Sequence, residues 1–220
     1  MRRLTDYMRA HGTSKLYRTK TSIFFQGEIP QYSVLLLDGA VKAYTISKDG
    51  QESIVHLFGK GSIIPAAWTN NQSPSVLFNY ETITDVRAIA FPKQMLYDIL
   101  QTDPLVETEY REHLAYSQAS LLIRVTGLTQ NRTIDKLCYA LYYLLFRHGI
   151  EKAPGSFEID LKITQGILAQ LIGQTRESVA KNLKALAEKR IVSYTTSTYT
   201  INKPLLESFL GEDSFRDLTR

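Results

Sequence analysis

The chain has 220 residues, 44% of them hydrophobic and 22% charged, which is ordinary for a globular protein of one large or two modest domains. Its single cysteine, Cys138, excludes an internal disulfide and the CxxC motifs of metal and redox sites. No apolar run reaches the roughly 20 residues that span a bilayer, and the N-terminal segment lacks the apolar region of a signal peptide, so a cytoplasmic protein with no membrane partner is expected.

Short strands separated by turns are predicted between residues 14 and 91. β-branched and aromatic residues dominate the candidate strands, and glycines such as Gly27 and Gly39 mark the turns between them. Evenly spaced strands of this kind predict an antiparallel β-roll, or jelly roll, as an N-terminal domain of residues 1–103 in an α+β protein. The candidate strands are 22–25, 33–37, 41–46, 53–57, 77–83 and 86–90.

One long helix, without an internal proline, is predicted for residues 104–130. Six of its residues recur in steps of four and three, the spacing of a two-stranded coiled-coil seam, which favours a dimerisation helix. Two of the six are polar, so packing of the helix against its own roll remains the alternative. Gly127 and Asn131 predict a hinge over 126–132. The seam residues are Tyr110, Leu114, Ser117, Leu121, Arg124 and Leu128.

The remaining segment, 131–220, is predicted to be a winged helix-turn-helix domain. Two short helical patterns are joined at Gly173, where the turn requires a positive φ that glycine adopts at low cost. The first pattern turns Leu168 and Leu171 inward, and the second turns Val179 and Leu183 inward. A hairpin of strands 191–194 and 199–201 follows and forms the wing. Two packed helices with a solvated charged face are the alternative.

Polar and basic side chains share the other face of the second helix. At about 100° per residue, Arg176, Glu177, Ala180, Lys181 and Lys184 fall within an arc of about 140°. Residues 174–203 carry the same formal net charge as the whole chain, +4, which indicates a polyanionic partner such as double-stranded DNA. The charged residues counted there are Arg176, Glu177, Lys181, Lys184, Glu188, Lys189, Arg190 and Lys203.

Together, the roll, the long helix and the winged domain resemble the Crp/Fnr family of bacterial transcription regulators. The resemblance covers nearly the whole chain and is carried by TQGILAQLIGQTRESVAKNLKAL and by LLLDGAVKAYTISKDGQESIVHLFGKGSII. It implies a regulator rather than an enzyme, in which the roll senses a signal, the long helix forms a homodimer and the winged domain binds a palindromic operator. If the protein activates transcription, RNA polymerase is a further expected partner.

At the reading helix the resemblance can be carried over residue by residue. Arg176 and Glu177 occupy the paired base-reading positions of the cAMP-receptor-like branch, where Arg donates to guanine O6 and N7 and Glu accepts from cytosine N4. Lys181 stands where that branch has a second arginine, and lysine lacks the planar fork. The half-site should resemble TGTGA, repeated with centres about 34–36 Å apart. The other candidate DNA contacts are Thr164, Gln174, Thr175, Ser178 and Lys184.

The roll departs from the cyclic-nucleotide sensors of the family. Ala66 stands near the position of their ribose-binding glutamate, and no arginine for a cyclic phosphate occurs between Lys60 and Arg87. Buried phosphate and ribose would therefore lack compensating partners, so cAMP and cGMP are not expected as ligands. An apolar or aromatic effector is the hypothesis instead. The candidate pocket residues are Ile63, Ile64, Ala66, Trp68, Phe78 and Tyr80.

Several alternatives to that effector pocket stay open. The same residues fill the interior of the roll if the protein is a constitutive regulator without a ligand. A haem or metal sensor would use one of four scattered histidines, although no metal is predicted, and an iron–sulfur cluster lacks its cysteines. A cupin-like oxygenase would need several inward histidines, whereas the roll contains only His56. Cys138 lies on an apolar stripe, with thiol sensing as its alternative.

Overall fold

The computed structural model describes residues 1–211, and the chain divides into two compact units, Met1–Tyr116 and Ser117–Arg220. The division falls within α4 (Pro104–Leu128), so this long helix contributes to both units. The predicted antiparallel roll, long helix and winged helix-turn-helix are confirmed. The three-part division at residues 103 and 130 sets α4 apart as a segment and stays a prediction. Among residues 1–211, no helix is both long enough and apolar enough to cross a membrane.

Two antiparallel sheets of four strands form the roll. The strands are β1 (Thr13–Tyr17), β2 (Ser22–Phe24), β3 (Ser33–Asp38), β4 (Val41–Ile46), β5 (Glu52–Phe58), β6 (Ile63–Ile64), β7 (Asn79–Thr82) and β8 (Val86–Phe91). Their order is β1-β8-β3-β6 in one sheet and β2-β7-β4-β5 in the other. Val41 and Ala43 of β4, opposite Thr82 and Tyr80 of β7, turn toward the interior, where the buried cluster also includes Leu36. The alternation of inward and outward residues in β4 thus builds the core of the roll.

A second apolar cluster lies where helices cover the sheet that contains β3 and β8. Leu4 and Met8 of α1 (Arg2–His11) pack there with Leu35, Ile89 and Leu96. Leu96 belongs to α3 (Lys93–Thr102), and the first turns of α4 join the same cluster. A short helix, α2 (Ala66–Thr69), follows β6. The amphipathic N-terminal segment is therefore a packed helix of the roll unit.

The C-terminal unit is a helix-turn-helix flanked by a four-stranded sheet. After α4, its elements are α5 (Thr133–His148), β9 (Gly149–Ala153), β10 (Ser156–Ile159), α6 (Gln165–Ile172), α7 (Arg176–Glu188), β11 (Val192–Tyr194), β12 (Tyr199–Asn202) and α8 (Lys203–Leu210). The sheet order is β11-β12-β10-β9, so the β11–β12 hairpin forms the wing. Residues 137–146 of α5 are buried and form the centre of this unit.

Gly127 lies within α4, and the chain leaves the helix only after Leu128. A Cβ atom at position 127 would lie 2.6 Å from Cβ of Tyr139 on α5. Such a distance is far inside van der Waals contact, and Tyr139 Cβ is held by the helix backbone. Gly127 therefore allows α4 and α5 to pack closely, and the hinge over 126–132 stays a prediction.

We expect Gly127→Ala to lower the free energy of unfolding by up to about 2 kcal/mol, because an overpacking cost of about 1–3 kcal/mol outweighs the gain of about 1 kcal/mol in helix propensity. Gly166→Ala on α6 is the matched control, since its added Cβ would find only Thr164 Oγ1 at 3.6 Å. Urea unfolding of both variants measures the difference. Equal stabilities for the two variants would contradict the packing role of Gly127.

Candidate nucleic-acid interface

The turn between α6 and α7 is defined by one glycine and two threonine caps. Gly173 has φ 64° and ψ 42°, the predicted left-handed conformation. Thr164 Oγ1 accepts a hydrogen bond from the Ile167 amide at 3.3 Å, and Thr175 Oγ1 accepts one from the Ser178 amide at 3.2 Å. Each cap satisfies an amide that has no partner inside its own helix. The first turn of α7 is thereby fixed at a defined residue.

The inward face of the helix-turn-helix is apolar and buried. Leu168 and Leu171 of α6 are at most 2% exposed, and Val179, Leu183 and Leu186 of α7 are fully buried. Their spacing in α7 is four and three residues, so they form one stripe along the helix. Burial of this stripe determines the rotation of α7 about its axis, and therefore which side chains it presents to solvent.

The outward face of α7 is the predicted reading surface. Arg176 and Glu177 are exposed in its first turn, and Lys181 and Lys184 are exposed farther along, with Ala180 half-buried between them. Ser178 is half-buried, and the exposed Thr175 combines its capping role with a hydroxyl proton that remains able to reach a phosphate. A guanidinium and a carboxylate lie side by side here, so the face can both donate to and accept from base edges.

An open cleft of about 480 Å³ lies beside the first turn of α7. Arg176 lines one side, the start of α6 contributes Thr164, and the wing contributes Tyr194 and Thr195. The amide of Ile163 donates to the Ser197 carbonyl at 3.0 Å, which ties the wing to the segment before α6. The lining is rich in hydroxyl and amide groups, which are suited to phosphate oxygens. Its residues are Thr164, Gln165, Gly166, Arg176, Tyr194, Thr195 and Thr196.

Gln174, a candidate DNA contact, and Lys203, counted in the positive charge of this segment, both have internal partners. Gln174 Oε1 accepts from the Thr133 hydroxyl at 3.0 Å, and its Nε2 donates to the Gly173 carbonyl at 2.9 Å. Lys203 is buried at the start of α8 and lies 3.4 Å from the Glu207 carboxylate. The charge of Lys203 therefore belongs to the interior, and the outward basic surface is formed by Arg176, Lys181, Lys184, Lys189 and Arg190.

The interior of the roll is filled by aromatic side chains. Phe24 contacts Tyr32 and Tyr80 with ring centroids 5.8 and 6.0 Å apart, and Phe58 lies 5.7 Å from Tyr80. His56 packs against Phe58 at 4.4 Å. Burial raises the pKa of Tyr80, so its hydroxyl stays protonated in this environment. Within the described part of the chain, no three His, Cys, Asp or Glu side chains are grouped so that they could hold a metal ion.

The six predicted effector-pocket residues do not all face the same space. Ile64 and Tyr80 belong to the interior cluster of the roll, with Phe78 packed against it. Ile63 joins the other cluster, beneath the helices. Trp68 is buried on α2 with Lys93 Nζ 4.5 Å from its ring centroid, and Ala66 is half-buried. The effector pocket therefore stays a prediction, centred on Ile64, Phe78 and Tyr80.

Two family models match the chain and cover most of it. A model described as a cyclic nucleotide-binding domain matches residues 14–103, and a model described as a Crp-like helix-turn-helix domain matches residues 135–206. The chain belongs to the Crp/Fnr family of transcription regulators. The family is one of DNA-binding proteins and not of enzymes, which confirms the function class predicted from the sequence.

Named relatives agree with this assignment. The global nitrogen regulator of Nostoc sp. is 27% identical over 190 residues, covering 86% of this chain and 84% of the relative. The cyclic AMP receptor protein of Thermus thermophilus is 25% identical over 195 residues, covering 87% and 85%. Crp/Fnr regulators with different names are thus similar to this chain over nearly its whole length.

Solved structures show the same fold. A cyclic nucleotide-binding domain containing protein from Listeria monocytogenes matches with a TM-score of 0.76 and 17% identity over 92% of this chain and 97% of that one. FixK2 from Bradyrhizobium japonicum matches with a TM-score of 0.72 and 18% identity over 90% and 96%. At these identities the matches show the architecture alone.

Cys138 of this Crp/Fnr regulator lies among the buried residues of α5, as the sequence predicted. Burial, the largest effect, and the nearby Asp135 carboxylate raise the pKa of the thiol to about 12, against a smaller opposite effect of Arg132. A thiol that is neutral and shielded at neutral pH is a poor nucleophile. The thiol-sensing alternative is therefore disfavoured.

We expect a titration of this regulator with cAMP at micromolar concentrations to give no measurable heat of binding. The reason is that the roll interior presents aromatic rings and no arginine for the phosphate. Isothermal titration calorimetry measures this directly, with a cAMP-binding family member titrated in parallel as the positive control. A dissociation constant in the micromolar range or below would contradict the expectation.

Proposed function

We propose that this protein is a homodimeric regulator that reads a palindromic operator, with α7 in the major groove of each half-site. The observation that carries the proposal is the pair Arg176 and Glu177, exposed in the first turn of a helix that begins at the Thr175 cap. The residues of a recognition helix that contact bases lie at its N-terminal end.

Base reading follows from the chemistry of this pair. The Arg176 guanidinium can donate two parallel hydrogen bonds to O6 and N7 of one guanine. Glu177 can accept from N4 of a cytosine, and a carboxylate near the negatively charged backbone also disfavours misplaced docking. Lys181, one turn farther along, is a point charge suited to either a base acceptor or a phosphate. A half-site resembling TGTGA fits these donors and acceptors.

Backbone contacts are assigned to the residues around the reading turn. Lys184 is exposed on α7, and Thr164, Thr195 and Thr196 line the cleft next to Arg176. The first residues of α6 and α7 line the same cleft as these hydroxyls, and helix N-termini attract phosphate. Such contacts position the reading helix without carrying sequence information. The wing is thus included in the DNA contact, although the sequence prediction had left it out.

Dimerisation is assigned to an apolar stripe on α4, defined by Leu114, Leu121, Leu122, Val125 and Leu128. All five side chains are exposed, Leu122 by 63% and Val125 by 54%. At about 100° per residue they lie within an arc of about 120°. An exposed apolar face of this length on a helix is typical of a surface that another helix covers.

The α4 stripe differs from the predicted seam at three positions. Tyr110 is buried in the roll unit and donates to Asn70 Oδ1 at 2.8 Å. The Arg124 guanidinium donates to the carbonyl oxygen of Leu171 on α6. Ser117 is half-buried, whereas the five residues of the stripe are exposed. Leu122 and Val125, which the four-and-three spacing omitted, supply the apolar surface instead. The predicted seam residues Leu114, Leu121 and Leu128 are retained in the proposal.

For the sensory roll, two functions remain candidates. An apolar or aromatic effector would bind near Ile64, Phe78 and Tyr80. A constitutive regulator without a ligand is favoured by the aromatic contacts that already fill the interior. Either form acts on chromosomal DNA, hence in the cytoplasm, and an activator would also contact RNA polymerase. Selection of operators from random DNA by the purified protein, with and without cell metabolites, distinguishes the two functions. Recovery that depends on the metabolites indicates an effector, and equal recovery indicates a constitutive regulator.

We expect Arg176→Ala to lose about 1–3 kcal/mol of discrimination at one guanine of each half-site. Binding to a complete set of single-base operator variants, followed by fluorescence anisotropy, measures this. Lys184→Ala is the matched control, because loss of a phosphate contact weakens binding to all variants equally and reduces its salt dependence. Unchanged sequence preference in Arg176→Ala would contradict the assignment.

We expect Val125→Glu to yield a monomer, because a carboxylate in the centre of the α4 stripe would be desolvated on dimerisation. Affinity for a two-half-site operator should fall by about 100-fold with the loss of the second contact. Sedimentation velocity and anisotropy measure the two effects. Glu112→Gln, a change of one charge on the other side of α4, should leave both unchanged. A dimeric Val125→Glu protein would refute the placement of the interface.

A further inference from the structure

The last turns of α4 make a polar contact with the helix-turn-helix. Arg124 Nη2 donates to the carbonyl oxygen of Leu171 at 3.0 Å. Leu171 lies in the last turn of α6, immediately before the turn at Gly173. Both residues belong to the C-terminal unit. A residue that the sequence placed in the dimer seam is thus bonded to the reading domain.

The acceptor of this bond is the carbonyl oxygen of Leu171, which lies in the last turn of α6. The final carbonyls of an α-helix have no intrahelical amide to bond, and the C-terminal end of the helix carries partial negative charge. A guanidinium placed there forms a charge-assisted hydrogen bond and also interacts favourably with the helix dipole. Arg124 therefore fixes the end of α6 from which the turn to α7 departs.

The surroundings of Arg124 are closely packed. Gly127, three residues farther along α4, brings this helix against Tyr139 of α5. The void beside Arg124 and Leu171 has a volume of about 10 Å³, which is at the lower limit for a single water. Burial lowers the pKa of Arg124, an effect that Tyr143 opposes, and arginine remains charged at neutral pH. The contact is therefore direct and shielded, so solvent competes with it little.

A second contact holds the other end of the turn. The Thr133 hydroxyl, at the start of α5, donates to Gln174 Oε1 at 3.0 Å. The turn between α6 and α7 is thus bonded to α4 before Gly173 and to α5 after it. On α4, Arg124 is the neighbour of Val125, which belongs to the α4 stripe. The dimer contact and the anchor of the reading domain therefore lie on one helical turn.

We propose that Arg124 is a positioning residue that fixes the reading domain on the dimer helix, so that the two α7 helices match the spacing of the operator half-sites. The inference rests on the proposed dimer and two-half-site operator. Its specific consequence is that loss of the Arg124 bond loosens the spacing between the two reading helices while each reading helix stays intact. DNA affinity should then fall only where two half-sites must be bound together.

The test compares wild type with Arg124→Met on three fluorescein-labelled duplexes. One carries the operator selected by the wild-type protein, the second has one half-site scrambled, and the third has two base pairs inserted between the half-sites. Arg124→Met should bind the intact operator about tenfold more weakly, the magnitude of one lost charge-assisted hydrogen bond. Its affinity for the single half-site should equal that of wild type, and the insertion should weaken its binding less.

Two further variants complete the comparison. Arg124→Lys keeps a donor and a charge, so it should restore part of the affinity for the intact operator. Lys152→Met removes one positive charge on β9, at the sheet edge opposite the wing, and should behave as wild type. Sedimentation velocity should show dimers for all of these proteins. Because Lys152→Met and Arg124→Met each remove one positive charge, the comparison separates the positioning role of Arg124 from general electrostatic attraction to DNA.

Each remaining outcome is decisive. An Arg124→Met protein that binds all three duplexes as wild type does, or that loses single and double half-sites equally, overturns the positioning role. The second of these results would make Arg124 a residue needed for the fold of the reading domain. A wild-type protein that is monomeric, or indifferent to the second half-site, would instead refute the proposed function on which the inference rests.

Discussion

The left-handed conformation of Gly173 is the constraint on which the reading surface depends. At φ 64°, the chain turns between α6 and α7 without the steric cost that a Cβ atom would impose. The turn lets Leu171 and Val179 be buried together, and burial of Val179, Leu183 and Leu186 then determines how α7 is rotated. Arg176 is outward because the apolar stripe is inward. Packing in the core therefore decides which side chains can meet a base.

Electrostatics adds direction to that geometry. Arg176 lies beside the first residues of α6 and the hydroxyls of the wing. Four more exposed cations, Lys181, Lys184, Lys189 and Arg190, follow along α7 and after it. A polyanion is attracted to this surface over several ångströms, whereas Arg176 and Glu177 discriminate only at contact. Lys203 shows that the position of a charge matters more than the number of charges in a segment. Its charge is buried with Glu207 and adds nothing to the surface.

Local patterns made much of the fold predictable. The β-branched and aromatic content of residues 41–46 placed β4 at its observed bounds. The apolar spacing, the turn glycine and the charge placement of α6 and α7 located the helix-turn-helix. β1 was not predicted because four of its five residues are exposed, and β6 because it has only two residues. The inward turn of Arg124 and the close approach at Gly127 depend on tertiary contacts that no spacing rule encodes. The wing residues Thr195 and Thr196 carry no motif of their own.

The roll and the reading domain differ in how their polar groups are used. In the reading domain, threonine, arginine and glutamine side chains bond to backbone and to one another around a single turn, leaving a small set of exposed groups for DNA. In the roll, aromatic rings of the interior pack against one another instead. A ligand there would have to displace or fit between those rings, so its affinity would come from apolar and stacking contacts. The roll interior thereby restricts the chemistry of any ligand to apolar or aromatic compounds, whatever DNA sequence the winged domain binds.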